Sequence, residues 1–271
     1  LRVTSSPGAP MMNEKLFVVV GDGSLWERHW RSDLGRWAWE SHGRPNNRRI
    51  VTAPGAAMID EKFFVVTEDG SLWERHWRSD LGRWAWEDHG RPGKEDIIFA
   101  PGAAMMNQKL FVVTVKGVLW ERHWRADLGR WVWQSHGAPT DTKAASAPGA
   151  AMMNCKFFLT ASNGKLFERY WNGSAWVWVD HGKPPGTKIS TSPDAGMLDT
   201  KVFVGTANER MFERYWNGSA WAWVDHGTLM HDSCQTLISS SDSSPKRTLA
   251  VVGDGFDESD LDKYKFWVQH E

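Results

Sequence analysis

A His-Gly pair recurs at His42, His89, His136, His181 and His226, at intervals of 47, 47, 45 and 45 residues. The same ruler reaches His270, 44 residues further on, in an ending "FWVQHE" that aligns with "VWVDHG" at Val177–Gly182. A repeat of this period constrains the fold more than any single motif. Each unit must be one supersecondary element that buries its apolar face against copies of itself. The 271 residues divide into six such units, at about 1–46, 47–93, 94–140, 141–185, 186–230 and 231–271.

Each unit holds four short strand patterns. The first is small and apolar, as in "GAAMI" from Gly55 and "GAAMM" from Gly102 and Gly149. The second is β-branched and aromatic ("KLFVVV" from Lys15, "KFFVVT" from Lys62), the third is "LWERHW" from Leu25, and the fourth contains "WAWE" from Trp37. Gly-containing turns at Gly21, Glu68 and Ser162 separate the second pattern from the third, and no helical period survives anywhere. Four strands per unit, repeated six times, predict a single-domain, all-β chain over 1–271: a six-bladed β-propeller of four-stranded antiparallel blades. The small "GAA" residues suit the crowded axis of a propeller, and tryptophan fills the wide rim. The first three units join their last two strands with "RSDLGR" or "RADLGR". The next two use the shorter "NGSA", which accounts for the change of period. The sixth unit diverges, with Glu258 at the Glu position, Ser259 where Arg is expected, and "DGFDESDLD" read as a degenerate blade rather than a calcium loop. Trp267 and His270 restore its end; five blades plus a C-terminal extension is the alternative.

Composition narrows the function classes. Net charge is −1 with a pI near 6.9, which gives no basic footprint for nucleic acid. No apolar run approaches a membrane span of roughly 20 residues. Cys155 and Cys234 are too few for a disulfide framework; they either pair or stay as free buried thiols. "NGS" at Asn172 and Asn217 fits both an N-glycosylation acceptor and a tight turn, so an extracellular location is favoured without being fixed. The opening "LRVTSSPGAP" contains no signal-peptide core and no initiator Met, as expected of a processed or incomplete chain. Oligomeric state stays open.

Strand alternation sorts the side chains. Trp26, Arg28, Trp30, Trp37 and Trp39 share one face of the first unit; Leu25, Glu27, His29, Glu40 and His42 share the other. Stacked units should bring the Trp-Arg face of one against the Glu-His face of its neighbour. Arg28 and its equivalents Arg75, Arg122, Arg169 and Arg214 are then expected to stack on tryptophan and pair with a neighbouring Glu, as fasteners between blades. His42 and its equivalents are expected to hydrogen-bond the strand end and its following loop. Their spacing is not a metal-ligand spacing, so no metal is expected, nor any cofactor. No nucleophile motif or phosphate loop is present, and the closely alike units single out no acid–base pair, so no catalytic residue is assigned.

At "LFERYWNGSAWVWVDHGKPPGT" (Leu166–Thr187) the chain resembles the bacterial fucose-binding propeller lectins, through its E-R-aromatic-W, N-G-S-A-W, W-x-D-H-G and P-P-G-T elements. It is more loosely similar to the Aleuria-type six-bladed fucose lectins. Their sugar-binding Glu falls on Glu27, Glu74, Glu121, Glu168 and Glu213. Their Arg position, twelve residues earlier, holds Lys15, Lys62, Lys109, Lys156 and Lys201. Lys donates hydrogen bonds without the planar fork of Arg. The resemblance implies a non-catalytic, multivalent lectin that binds fucose or related sugars on glycans or glycoproteins. Its inter-blade clefts would add Trp37, Trp84, Trp131, Trp176 and Trp221 to those Glu and Lys residues. The rival expectation is a structural or protein-interaction propeller whose Trp-Arg-Glu pattern only packs blades.

Overall fold

The computed structural model describes residues 2–6, 15–56, 62–103, 109–149, 156–194 and 201–228. The sixth unit, Glu258, Ser259, Trp267 and His270 included, lies outside the described residues, as do Cys155 and Cys234.

Five antiparallel sheets follow one another along the chain, one per unit. The first contains β1 (Leu16–Val19), β2 (Leu25–Arg31) and β3 (Arg36–Gly43). The second has four strands: β4 (Gly55–Ala56), β5 (Phe63–Val66), β6 (Leu72–Arg78) and β7 (Arg83–Gly90). The third repeats it with β8 (Gly102–Ala103), β9 (Lys109–Val113), β10 (Leu119–Arg125) and β11 (Arg130–Gly137). The fourth and fifth have three strands each: β12 (Lys156–Thr160), β13 (Leu166–Trp171) and β14 (Trp176–Asp180), then β15 (Lys201–Gly205), β16 (Met211–Trp216) and β17 (Trp221–Gly227). The innermost strand is thus present in two units, and in the next two the described residues show a bridge at the same place, Gly149 to Phe158 and Asp194 to Phe203.

The glycine that begins the innermost strand has a packing reason. A Cβ on Gly55 would run into the carbonyl oxygen of Pro101 in the next unit, and one on Gly102 or Gly149 would meet Pro148 or Pro193 in the same way. Neighbouring backbones therefore touch where the "GAA" pattern anticipates crowding.

The core lies between sheets. Phe17, Val19 and Leu25 of the first unit pack on Phe63, Val65 and Trp73 of the second. Equivalent clusters join the second unit to the third, the third to the fourth and the fourth to the fifth. The Phe17 and Phe63 rings sit 4.1 Å apart, and each fully buried side chain of this size contributes about 1.5–3 kcal/mol. Each unit holds its neighbour along one seam.

Candidate functional site

The seam is built on one irregularity. In the β2–β3 pairing Leu25 faces Gly43 while Trp26 faces Ser41, so His42 is an extra, bulged residue; Gly43 follows at a φ of 67°. The same shift recurs before Trp73, Trp120 and Phe212. The bulge leaves the His without a cross-strand partner, on the Glu face of its own sheet where alternation also places it.

His42 Nε2 lies 2.9 Å from Glu27 Oε2, and His89, His136, His181 and His226 repeat the contact with Glu74, Glu121, Glu168 and Glu213 at 2.7–2.8 Å. The other carboxylate oxygen takes the lysine. Lys15, Lys62, Lys109, Lys156 and Lys201 approach their Glu at 2.9–3.1 Å. Across the seam, Arg75 Nε donates to His42 Nδ1 and Arg122 Nε to His89 Nδ1, both at 3.2 Å. An arginine is an obligate donor, so these two imidazoles accept at Nδ1 and donate from Nε2 to the carboxylate. Trp86 and Trp133 donate their indole N–H to the carbonyls of His42 and His89, 3.2 Å each.

Two expectations are corrected here. The recurrent His does not cap its strand end, and no arginine of this series pairs directly with a Glu among the described residues. His42 and His89 stand between Glu and Arg instead. Arg28, Arg75, Arg122, Arg169 and Arg214 do stack on Trp39, Trp86, Trp133, Trp178 and Trp223, at 5.0–5.2 Å. Arg169 and Arg214 make no hydrogen bond to His136 or His181 among the described residues.

Burial alone would raise the Glu pKa values. The His hydrogen bond and the Lys ammonium outweigh it, so Glu27, Glu74, Glu121, Glu168 and Glu213 all stay below their ordinary value. Desolvation lowers Arg75 and Arg122 to about 10, which leaves them charged at neutral pH.

Above this buried layer lies an accessible one. Lys15, Lys62 and Lys109 hold their ammonium 5.5–5.8 Å from the ring centres of Trp84, Trp131 and Trp176 in the next unit. At the fourth seam Lys156 turns instead to Tyr170 of its own sheet, 5.3 Å. Trp84, Trp131, Trp176 and Trp221 stand edge-on to the His of the preceding unit at 4.8–5.2 Å. Exposed Trp77, Trp124, Trp171 and Trp216 lie across from them in T-shaped pairs. The structure therefore brings Lys, Glu and the next unit's Trp together at three successive seams. Trp37 is exposed and meets Trp30 of its own hairpin edge to face, 6.0 Å. Lys side chains are 25–41% exposed and Glu side chains 0–7%, so the ammonium is open to solvent and the carboxylate is not.

The sequence reading missed a local feature. His29 Nδ1 and His76 Nδ1 lie 2.9 Å from Glu27 and Glu74, and Glu40 and Glu87 complete two donor groups with all atoms within 4.8 Å. These form inside a single hairpin, which the whole-chain His spacing could not reveal. A lysine ammonium already occupies the shared carboxylate oxygen in both.

No protein-family model matches the sequence, and no curated protein matches it. Solved structures do resemble it. The SapL1 lectin in complex with α-methyl fucoside superposes with a TM-score of 0.51 at 16% identity, over 83% of this chain and 81% of the lectin. BamB from Moraxella catarrhalis gives 0.51 at 12% identity, over 82% and 62%. Prp20p of Saccharomyces cerevisiae gives 0.51 at 11% identity, over 76% and 56%. The chain thus spans little more than half the length of Prp20p. Serial antiparallel sheets joined face to face, together with these likenesses, identify the fold as a β-propeller. No helix among the described residues is long and apolar enough to cross a membrane.

Proposed function

We propose that this propeller is a non-catalytic, multivalent lectin that binds fucose or related sugars of glycans and glycoproteins at its seams, with the diverged sixth unit as a sixth blade. One observation carries the reading: a partly exposed ammonium held against an indole of the next unit, repeated at three consecutive seams. A sugar ring presents an apolar C–H face and a rim of hydroxyls, which suit an aromatic plate beside a fixed hydrogen-bond donor. In this role Glu74 positions Lys62 and Trp131 is the plate. Each site is shallow and weak on its own, and repetition supplies avidity toward clustered glycans. The likeness to a lectin solved with a fucoside supports the same reading.

The rival, a propeller whose pattern only fastens blades, draws support from the buried Glu-His-Arg layer. The two layers are separable by experiment. Tryptophan emission is titrated with fucose, galactose, N-acetylglucosamine and sialic acid. A saturable change is expected for at least one sugar, and replacing Lys62 and Lys109 together by Ala should weaken it about tenfold or more. A flat titration together with silence on a glycan array would leave only the fastener.

A further inference from the structure

The fourth unit departs from the first three at one rim position. Trp26, Trp73 and Trp120 give way to Phe167, and the small Ser24, Ser71 and Val118 give way to Lys165. In the third unit the indole of Trp120 reaches the incoming connection, where a Cβ on Gly93 would sit 3.3 Å from it. The counterpart of Gly93 for the fourth unit is Thr140, and Phe167 leaves the space before it unfilled. The result is a half-open cavity of about 380 Å³ between the connection from the third unit and the Trp-Arg face of the fourth. That volume falls in the range of small-molecule sites, about 300–1,000 Å³.

Its walls are chemically mixed and held in place. Trp178 forms the accessible apolar side, backed by the buried Phe167, ring centres 6.5 Å apart and edge to face. Trp178 is fixed by its indole hydrogen bond to the His136 carbonyl, 3.2 Å, and by Arg169 stacked at 5.0 Å. Lys165 Nζ meets Asp180 Oδ2 at 2.7 Å. Asn163 uses its carbonyl to accept from the Lys165 backbone N–H, 3.1 Å, which leaves its amide hydrogens to donate. Asp141 lines the cavity from a left-handed turn position, φ 57°, and its carboxylate makes no hydrogen bond among the described residues. Lys165 neutralises Asp180, Asp141 adds an acceptor and Asn163 a donor, so the walls disfavour an anion and offer both donors and acceptors beside the aromatic side. A neutral, polyhydroxylated ring matches this mix of donors and acceptors while laying its C–H face on Trp178.

We propose that this cavity is a second ligand site, for a single neutral monosaccharide unit, distinct from the Lys-Trp seams. It shares the sugar chemistry of the proposed function but none of its residues. The test uses indole signals in ¹H–¹⁵N spectra of the full chain, with Trp178, Trp84 and Trp131 assigned by single Trp→Phe variants. Methyl α-fucoside, galactose and N-acetylglucosamine are the probes. At least one should shift the Trp178 signal saturably. Phe167→Trp restores the side chain of the first three units, where Trp73 coexists with Asn46 at the Thr140 position, so it should fold. It should weaken the Trp178 response about tenfold or more and leave Trp84 and Trp131 unchanged. Asp141→Asn, an exposed change outside the core, should weaken it as well. A Trp178 signal indifferent to all three sugars, or one whose response survives both variants, overturns the site. If Trp84 or Trp131 still responds, only this proposal falls; if no indole responds, the seam reading falls with it.

Discussion

Glu74 offers a ligand no surface of its own. Its side chain is wholly buried, with Lys62 at 3.1 Å on one oxygen and His89 at 2.8 Å on the other. Its task is to fix two neighbours, one facing solvent and one facing the next sheet. Removing one partner of a buried charged group costs roughly 3–5 kcal/mol. Glu74→Ala should therefore lose stability of that order in urea unfolding. Lys62→Ala should lose much less, because its ammonium is partly solvated, while costing sugar response. Equal losses from the two variants would contradict this division of labour. Alternation and the recurring spacing made the Glu and Trp positions legible on facing sides, and the lectin resemblance pointed to the Lys. Alternation put His42 and Arg75 on facing sides as well, with Arg expected to pair with Glu. It ranks no partner on a face, and the imidazoles of His42 and His89 take the guanidinium groups of Arg75 and Arg122 instead.

At the scale of the element, glycine marks two different needs. Gly70 turns β5 into β6 at a φ of 74°, and a Cβ there would strike the side chain and backbone of Asp96 in the connection to the next unit. Gly82 turns β6 into β7 at a φ of 58° with nothing within 4 Å. Alanine at Gly82 meets only the left-handed backbone penalty, roughly 1–2 kcal/mol. Alanine at Gly70 adds a collision between units, so Gly70→Ala should unfold at distinctly lower urea than Gly82→Ala. Matching midpoints would mean that the turn does not lock the connection. Both glycines look alike in "EDGS" and "DLGR"; only the tertiary neighbour separates them. The innermost strand was likewise legible as small and crowded, and Gly55, Gly102 and Gly149 meet Pro101, Pro148 and Pro193 of the next unit there.

For the whole molecule, the same acid-sensitive joint is repeated at every described seam. Burial opposes the charge of Glu27, Glu74, Glu121 and Glu168, yet His and Lys hold each below the ordinary value of 4.5. An unfolded carboxylate then binds a proton at a pH where the folded one does not. Stability therefore rises with pH across that window. The contribution is complete above about pH 5 and is lost as pH falls below 4.5 through the folded values. Because the units contact only their neighbours, a weakened joint loosens the next, and loss should be steep. A melting temperature that is level from pH 8 to about 5 and then drops sharply is the expected profile. The pairs are buried, so 1 M salt, with a Debye length near 3 Å, should flatten that drop far less than it would for surface pairs such as Arg78 with Asp80. Glu74→Gln and Glu121→Gln together should shallow the acid limb while lowering the plateau. A double variant with the wild-type acid slope would place the sensitivity elsewhere than in the seams.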